Sequence, residues 1–195
     1  MEQQNTVPGT PDTPSRWKRL LENVAYIGAA IILAVFVQHF LIRPFIVNGA
    51  SMDPTLTTGD YLLIDRLSYR LRAPERGDVI VFKSPPEPDK YFVKRIIGLP
   101  GETVFIKKGI VSIINTAHPD GLILDEPFIT HKKNDDTMTF TVPANNYFVM
   151  GDNRAGSYDS RMWGMLPEKN IGGRALVRLL PLTEIDYLPG KVEYK

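Results

Sequence analysis

The longest uncharged stretch of the sequence limits the possible folds of this chain more than any other feature. It contains 19 residues, from Val24 to Ile42, and reads VAYIGAAIILAVFVQHFLI. As a helix it would span roughly 28 Å, close to the ~30 Å hydrocarbon core of a bilayer. A helix buried in a globular domain is one alternative, but such a helix normally carries a polar stripe at this length.

A cleaved signal peptide is the second alternative for this stretch. The apolar part of a signal peptide is normally shorter, and the following residues 47–50 (VNGA) make a poor cleavage site. We therefore predict a retained transmembrane helix at about residues 24–42, within a segment 16–42 that also contains its basic flank. No second run of comparable length is present, so one span is expected.

The charges before this helix predict its orientation. Arg16, Lys18 and Arg19 precede it, and Glu22 is the acidic residue nearby. Because positive flanks stay on the cytoplasmic side, the N-terminus is expected in the cytoplasm and residues 43–195 on the outer face of the cell membrane. Residues 1–15 contain three prolines among polar residues and are expected to form a disordered cytoplasmic tail.

The outer part of the sequence is typical of a β protein. Short apolar or alternating runs are separated by turn residues such as Gly59-Asp60, Gly77-Asp78 and Pro100-Gly101. The expected strands are 61–64, 79–82, 91–93, 104–106, 110–114, 138–142, 147–150 and 175–180. The fold class is therefore predicted as mainly β, a sheet-rich extracytoplasmic sandwich or barrel behind the N-terminal helix. Residues 116–136 break this rhythm and are expected to be an insertion with loops.

Composition excludes several classes of function. The net charge is +1 with no basic cluster, which argues against nucleic-acid binding. The chain has no cysteine, so it forms neither disulfides nor thiolate metal sites. Its three histidines, His39, His118 and His131, lack the spacing of metal ligands. No metal and no cofactor are therefore expected.

A turn-rich stretch after the apolar run contains the first candidate catalytic residue. In NGASMDPTL, residues 48–56, Ser51 follows Gly49 and Ala50 and precedes Pro54. Small residues let another backbone approach the serine, and Pro54 keeps the preceding residue out of the helical region. Such a turn would present a nucleophile, although many serine-containing turns only satisfy local backbone groups.

Lys94 is the second candidate. Strand alternation in YFVKRIIG, residues 91–98, places Lys94 between Phe92 and Ile96 on one face of a strand. Desolvation by apolar neighbours lowers the pKa of an ammonium group, which would let the neutral lysine accept a proton from serine. Arg95 cannot do so, because a guanidinium does not lose its proton in proteins. A lysine that extends to water would be the ordinary alternative.

Four motifs, in order along the chain, resemble those of type I signal peptidases. They are SMDPTL at residue 51, GDYLLIDRLSYR at 59, VKRIIGLPGE at 93 and GDNRAGSYDSR at 151, and LDEPFI at 124 resembles a further segment. The resemblance covers the chain from the apolar helix to about residue 180. It implies a serine protease in which Ser51 is the nucleophile and Lys94 the general base.

The same resemblance assigns supporting roles. It implies that Ser157 holds the lysine by a hydrogen bond, that Asp159 and Arg161 form an ion pair, and that Asp152 braces this region. Residues 159 and 161 would share one face of a strand, whereas in a loop such a pair is often only a solvated one. The resemblance also implies that Val47 and Val93 form the apolar walls of shallow substrate pockets.

Two positions depart from the family pattern. Some members carry at position 49 a serine whose hydroxyl binds the oxyanion, and others carry glycine, as here. Because Gly49 has no side-chain hydroxyl, the backbone N–H of Ser51 and a further group must bind the oxyanion. At Gly156 the family often has asparagine, so a local contact is expected to differ.

The expected function is that of a membrane-anchored serine endopeptidase that removes signal peptides from exported precursors. The expected partners are these precursors and membrane lipids. At most nine residues separate the helix from Ser51, a reach of about 30 Å, so the site is expected near the membrane surface. Self-cleaving SOS-type repressors have a similar Ser–Lys site but carry a DNA-binding domain instead of this helix. A non-enzymatic membrane-anchored β module is the other alternative, and the reactivity of Lys94 would distinguish it.

Overall fold

The computed structural model describes residues 16–40, 42–132 and 137–194, with the side chains of 36–40 excepted. The predicted tail 1–15, residue 41 of the predicted span and residues 133–136 of the predicted insertion lie outside the described residues. The chain divides into two compact units, Met1–His39 and Phe40–Lys195. Each unit is considered by itself.

The first unit contains the helix α1 (Arg16–Phe40) of 25 residues. Its large apolar side chains are exposed, among them Ile27, Ile31 and Leu33. In the part of the chain that the structure describes, no helix is both long and apolar enough to cross a membrane. The predicted span also extends too far at its end, because Ile42 is the first residue of a strand. Pro44 accounts for this, since the residue before a proline avoids the helical region.

The second unit is mainly β, as predicted. Its larger sheet is antiparallel and has the strand order β1-β2-β11-β3-β4-β9-β10, with β12 paired to β11. These strands are β1 (Ile42–Ile46), β2 (Tyr61–Asp65), β3 (Val79–Lys83), β4 (Tyr91–Gly98), β9 (Asn146–Met150), β10 (Leu166–Pro167), β11 (Ile171–Leu180) and β12 (Asp186–Tyr187). Strand β4 is buried over most of its length between β3 and β9, whereas β1 forms one edge.

A second, four-stranded antiparallel sheet has the order β7-β6-β5-β8. Its strands are β5 (Thr103–Lys107), β6 (Ile110–Ile114), β7 (Leu122–Ile123) and β8 (Met138–Thr141). The predicted insertion 116–136 is loop-rich in its described part, but it contributes the short strand β7. Two short helices, α2 (Ser68–Leu71) and α3 (Ser160–Trp163), and two 3-10 turns, Glu168–Asn170 and Leu182–Glu184, complete the unit.

The core of the second unit comprises three clusters of buried apolar residues, and the first of them holds the serine turn in place. Met52 and Leu56 belong to this cluster and pack with Leu62 and Ile64 of β2. Burying each of these side chains contributes about 1.5–3 kcal/mol. The turn that carries Ser51 is thus anchored by apolar contacts on its own flanks. A second cluster lies between β4, β9 and the small sheet, and a third contains Ile80 and Ile96.

Candidate active site

The Ser51 turn is closed by backbone hydrogen bonds as well as by its buried flanks. The N–H of Leu56 donates to the carbonyl of Met52 at 3.0 Å, and the N–H of Gly59 donates to the carbonyl of Val47 at 3.0 Å. Gly49 has a φ of +108°, a backbone conformation that favours glycine. These constraints leave Ser51 half-buried at the surface of the domain, where its hydroxyl is accessible to chemistry.

Strand β4 brings Lys94 to this serine. Lys94 Nζ lies 2.6 Å from Ser51 Oγ and donates to the carbonyl of Val93 at 3.0 Å. The lysine is 3% exposed, and its Nζ lies 5.4 Å from the centre of the Phe92 ring. The strand places its side chain on the face expected from alternation. The two residues, 43 positions apart in sequence, therefore form a hydrogen-bonded pair within the second unit.

Burial lowers the pKa of Lys94 from 10.5 to about 8. Desolvation disfavours the charged ammonium, and the negative charges of Asp159 and Asp152 act in the opposite direction without cancelling it. No carboxylate lies within ion-pair distance of Lys94 among the residues that the structure describes. The amine therefore reaches its neutral, proton-accepting form at a pH far below that of a free lysine.

The next residue, Arg95, forms a buried ion pair with Asp152. Arg95 Nε and Nη2 donate to the two carboxylate oxygens of Asp152 at 2.8 and 2.6 Å, and both side chains are at most 1% exposed. Thr55 Oγ1, in the serine turn, donates to the same carboxylate at 2.5 Å. Asp152 thus joins the serine turn to the lysine strand. This role of Arg95 was not predicted from the sequence, although a charged residue among the apolar residues of a strand indicates a buried partner.

Asp159 and Arg161 contact each other, but not on a strand. Arg161 donates from Nε and Nη2 to Asp159 at 2.8 and 2.9 Å, and Asp159 also accepts the N–H of Gly151 at 3.0 Å. Asp159 is the N-cap residue of α3 and accepts the backbone N–H of Arg161. The pair therefore lies at the start of a helical turn, neither on a strand face nor in a solvated loop. A capping carboxylate satisfies a free N–H at a helix start, which explains the helical turn.

Ser157 does not make the expected hydrogen bond to Lys94. Its Oγ is buried and has no hydrogen-bond partner within the described part of the chain. The hydroxyl instead lies beside the backbone of Gly151, where an added Cβ would overlap with Ser157 Oγ and with the carbonyl oxygen of Ser51. The described hydrogen-bond partners of Lys94 Nζ are Ser51 Oγ and the carbonyl of Val93. Ser157 is thus adjacent to the serine turn.

The two departures from the family pattern have visible local consequences. The N–H of Gly49 donates to Thr58 Oγ1 at 3.1 Å, whereas the N–H of Ser51 donates to no residue that the structure describes. The N–H of Gly156 donates to Asn153 Oδ1 at 2.9 Å. Asn153 in turn donates from Nδ2 to the carbonyl of Ala50 and from its backbone to that of Ser51. Gly156 therefore supports a residue that holds the serine turn.

Val47 and Val93 are buried, at 1% and 7% exposure, in the same apolar cluster as Met52. Val93 faces Val81 across the β3–β4 ladder. Val81 in turn lines a cavity of about 250 Å³ together with Phe45, Ile64, Tyr91, Arg43 and Arg66. Both valines thus belong to the core, and Val93 packs behind a wall of this cavity. Their role as pocket walls stays a prediction.

The described residues contain no group of three or more His, Cys, Asp or Glu that could hold a metal ion. His131 Nδ1 lies 3.0 Å from Thr130 Oγ1, and the side chain of His39 is outside the described residues. That no cofactor is needed stays a prediction.

Comparisons with known proteins identify the family of this chain. A family model described as signal peptidase, peptidase S26, matches residues 20–180. Curated relatives include a probable signal peptidase I-1 of Synechocystis sp., 38% identical over 87% of each chain. Others are a signal peptidase I of Leptolyngbya laminosa, 36% identical over 96% of each chain, and a signal peptidase IB of Staphylococcus aureus, 34% identical over 87% of this chain and 94% of that one.

Among solved structures, a signal peptidase I from Enterococcus faecalis V583 is 33% identical, with a TM-score of 0.45 over 53% of this chain and 97% of that one. The family match covers most of the sequence, including Ser51, Lys94 and the loop from Gly151 to Arg161. The chain therefore belongs to the signal peptidase family of serine endopeptidases, peptidase S26.

Proposed function

We propose that this enzyme is anchored in the cell membrane and removes signal peptides from exported precursors by a Ser–Lys dyad mechanism. The single observation that carries the proposal is the 2.6 Å contact between Lys94 Nζ and Ser51 Oγ at a buried lysine. A surface lysine would not give up its hydration for such a contact without a function that requires it.

The first step is attack by Ser51. Neutral Lys94 accepts the hydroxyl proton on its nitrogen lone pair while Ser51 Oγ forms a bond to the scissile carbonyl carbon. The carbonyl of Val93 accepts one of the other amine hydrogens and orients the lone pair. The backbone N–H of Ser51 donates to no described residue. It is therefore available to bind the oxyanion of the intermediate.

The second step releases the mature protein and then the signal peptide. The ammonium of Lys94 gives its proton to the leaving amine as the peptide C–N bond breaks, which leaves the signal peptide esterified to Ser51. Neutral Lys94 then takes a proton from a water molecule that attacks the ester. Ser51 regains a proton from the lysine when it leaves, and the dyad returns to its starting state.

The proposed substrate site lies along the edge strand β1. Phe45 on β1 and Tyr91 on β4 line the same cavity of about 250 Å³, and β1 leads directly into the Ser51 turn. An extended peptide can add to a sheet edge by main-chain hydrogen bonds and insert alternate side chains into shallow pockets. This mode fits a substrate segment of small residues that has no secondary structure.

The supporting residues have proposed roles as well. Asp152 holds the serine turn against the lysine strand through Thr55 and Arg95. The ion pair of Asp159 and Arg161 fixes the loop that begins at Gly151, and Asp159 is a source of negative potential at Lys94. In the working enzyme, Ser157 is proposed to orient the amine of Lys94. Its hydroxyl has no described partner and would have to shift to make this hydrogen bond.

Anchoring is proposed on the basis of α1. The helix begins with Arg16, Lys18 and Arg19, and its large apolar side chains are exposed along the described part. Lipid would cover such side chains, and the basic flank would keep the N-terminus in the cytoplasm. The enzyme would then cross the membrane once, with its catalytic domain on the outer face.

The test uses the full-length protein in vesicles and a precursor that carries a signal peptide. We expect cleavage at the signal peptide junction, and resistance of the enzyme to alkaline extraction from the membrane. Protease added outside cells should degrade the domain that contains Ser51 and spare the N-terminal tail. Extraction of the intact protein at alkaline pH would disprove the anchor, whereas an uncut precursor would disprove the activity.

A further inference from the structure

The C-terminal segment packs against the far side of the Ser51–Lys94 pair. We call residues 188–194 the C-terminal strap. It follows β12 and lies beyond residue 180, where the family match ends. Part of it is buried or half-buried, and Gly190 and Tyr194 make its contacts with the elements that carry the site. The strap is therefore part of the catalytic domain.

Gly190 touches both halves of the dyad's framework. Its carbonyl accepts a hydrogen bond from Arg95 Nη1, on the residue after Lys94. An added Cβ at Gly190 would overlap with Thr55 Cγ2 and lie 3.1 Å from Arg95 Nη2. Thr55 belongs to the serine turn and donates to Asp152. Gly190 thus lies where the serine turn, the lysine strand and the Asp152 side chain meet.

The end of the strap reaches the catalytic loop by a second route. Tyr194 Oη donates to Glu126 Oε1 at 3.2 Å, and Glu126 accepts two hydrogen bonds from Arg154 at 2.8 and 2.5 Å. Arg154 Nε donates to the carbonyl of Gly151 at 3.0 Å. Since Gly151 abuts the backbone of Ser51, the strap is connected to the serine turn by two routes, through Thr55 and through Glu126 and Arg154.

A close approach of backbones keeps the strap in place between these two ends. An added Cβ at Gly77 would overlap with the carbonyl oxygen of Val192, so only glycine allows the strap to lie against this turn. The carbonyl of Gly77 also accepts a hydrogen bond from Arg95 Nη1 at 3.0 Å. Arg95 is therefore enclosed by the strap on one side and by Asp152 on the other.

We propose that the C-terminal strap positions the Ser51 turn against the Lys94 strand, with Gly190 as the positioning residue at their junction. The proposal rests on the Ser51–Lys94 chemistry proposed above. Proton transfer between two side chains requires their geometry to be held within about 0.5 Å. Thr55 and Arg95 are the neighbours of the reacting residues, so a displacement of Gly190 would change the Ser51–Lys94 distance. The strap touches no part of the cavity beside β1 and should affect turnover and not substrate binding.

The test measures kcat and KM of Gly190→Ala in the full-length enzyme with a signal-peptide-bearing precursor. We expect kcat to fall at least tenfold while KM stays within twofold. Alanine at a positive φ also strains the backbone, and Gly101→Ala controls for this effect. Gly101 has a φ of +84°, close to the +72° of Gly190, but a Cβ there meets nothing within 4 Å. The control should keep kcat within twofold of wild type.

A second substitution relieves the predicted overlap. Thr55→Ser removes Cγ2 and keeps the hydroxyl that donates to Asp152. In this background Gly190→Ala should keep kcat within threefold of Thr55→Ser alone, because the added Cβ no longer overlaps with Cγ2. If Gly190→Ala reduces kcat no more than Gly101→Ala does, or if Thr55→Ser fails to relieve its effect, the strap does not position the dyad.

Should Gly190→Ala fail to fold, Tyr194→Phe decides the question. It removes the hydroxyl bonded to Glu126 and keeps the packed ring, and Glu193→Ala, at an exposed neighbouring side chain, is its matched control. We expect a threefold or larger loss of kcat for Tyr194→Phe, and equal kcat values for the two variants would overturn the proposal. A different result would disprove the proposed function. If Ser51→Ala cleaves the precursor as well as wild type does, the Ser51–Lys94 chemistry is wrong, whatever the strap does.

Discussion

Lys94 and Arg95 are consecutive residues of one buried strand, but Arg95 has a carboxylate as its partner and the described partners of Lys94 are uncharged. Arg95 is 0% exposed and meets both oxygens of Asp152. Lys94 is 3% exposed and lies against Ser51 and a backbone carbonyl, neither of which is charged. The arginine therefore keeps its charge, whereas burial lowers the pKa of the lysine and favours its neutral form. Alternation along a strand is what separates these two environments.

The dyad itself gives the first prediction. Ser51→Ala and Lys94→Ala should each lower kcat by at least about 10³-fold, because each removes an atom that takes part in the bond changes. Lys94→Arg should be equally inactive, since it keeps the charge but cannot accept a proton. Cleavage of a purified precursor measures this, with near-UV circular dichroism to verify folding. A folded Lys94→Arg enzyme with wild-type turnover would show that Lys94 is not the base.

The second prediction concerns pH. Since Lys94 must be neutral in the free enzyme, kcat/KM should rise with pH up to the pKa of about 8 and level off above it. Below the pKa the slope should be about tenfold per pH unit. The measurement is a kcat/KM profile from about pH 6 to 10 with one precursor. A profile that is flat from pH 6 to 8 would contradict a lysine base.

The local pattern of the sequence predicted the strand that carries Lys94 and the turn that carries Ser51, whereas their pairing came from the family resemblance. Alternation in residues 91–98 predicted which face Lys94 occupies, and the glycines and prolines around Ser51 predicted its turn. Eight strands were expected and each has a counterpart in the structure. Strand β1 was missed because Ile42 was counted with the apolar run, and the short strands β7, β10 and β12 gave no periodic signal. Strand order depends on contacts between distant residues, which a local pattern does not contain.

The contacts around the dyad were harder to predict, for the same physical reason. Arg95 contacts Asp152, which is 57 positions away in the sequence. The residues around Arg95 do not indicate which carboxylate it will contact. For Asp159 and Arg161 a strand and a loop were both left open, and capping by the carboxylate favours a helical turn instead. Ser157 was expected to bond Lys94, but its hydroxyl is buried without a described partner, while Lys94 bonds Ser51 and the carbonyl of Val93. A resemblance transfers residue identities more reliably than it transfers individual hydrogen bonds.

The third prediction is that the catalytic lysine costs stability. A pKa lowered from 10.5 to about 8 means that the folded protein binds fewer protons than the unfolded chain between these values. The contribution of Lys94 to the free energy of unfolding is therefore highest above about pH 10.5, where the residue is neutral in both states. It decreases as pH falls, and the loss is complete below about pH 8. Lys94→Met, which fits the same space without charge, should stabilise the protein at pH 7 by roughly 3 kcal/mol.

Thermal unfolding of the full-length enzyme in detergent at several pH values measures this difference. Lys90→Met is the matched control, because Lys90 is exposed and its substitution should leave stability nearly unchanged at every pH. The gain from Lys94→Met should shrink as pH rises and vanish near pH 10.5. A gain that is independent of pH would mean that packing, and not the buried charge, is responsible.

The fourth prediction concerns the buried ion pair. Asp152→Asn leaves the charge of Arg95 buried without a counter-charge, which should destabilise the protein by about 3–5 kcal/mol. Glu87→Gln, in the exposed pair with Lys90, should cost less than about 1 kcal/mol. Thermal unfolding compares the two variants. Equal and small losses would mean that the Arg95–Asp152 pair does not hold the serine turn to the lysine strand.

The last prediction is about substrate specificity. Val47 and Val93 are β-branched and packed in the core next to the serine turn and the lysine strand, so any pocket wall that they form should be stiff. Precursors with Ala, Gly or Ser at the first and third positions before the cut should therefore be cleaved at least tenfold better than those with Leu or Phe. Larger side chains would overlap with walls that cannot relax freely.

Val47→Ala and Val93→Ala should each improve cleavage of a bulky precursor relative to an Ala precursor. Val104→Ala is the matched control, because Val104 is equally buried but packs in the cluster of the small sheet. It should lower stability without altering the preference. Val93 contacts the cavity wall at Val81, so its variant should have the larger effect. If wild type cleaves Leu and Ala precursors equally, no narrow pocket exists. If it rejects Leu and neither variant relaxes the preference, other residues form the walls.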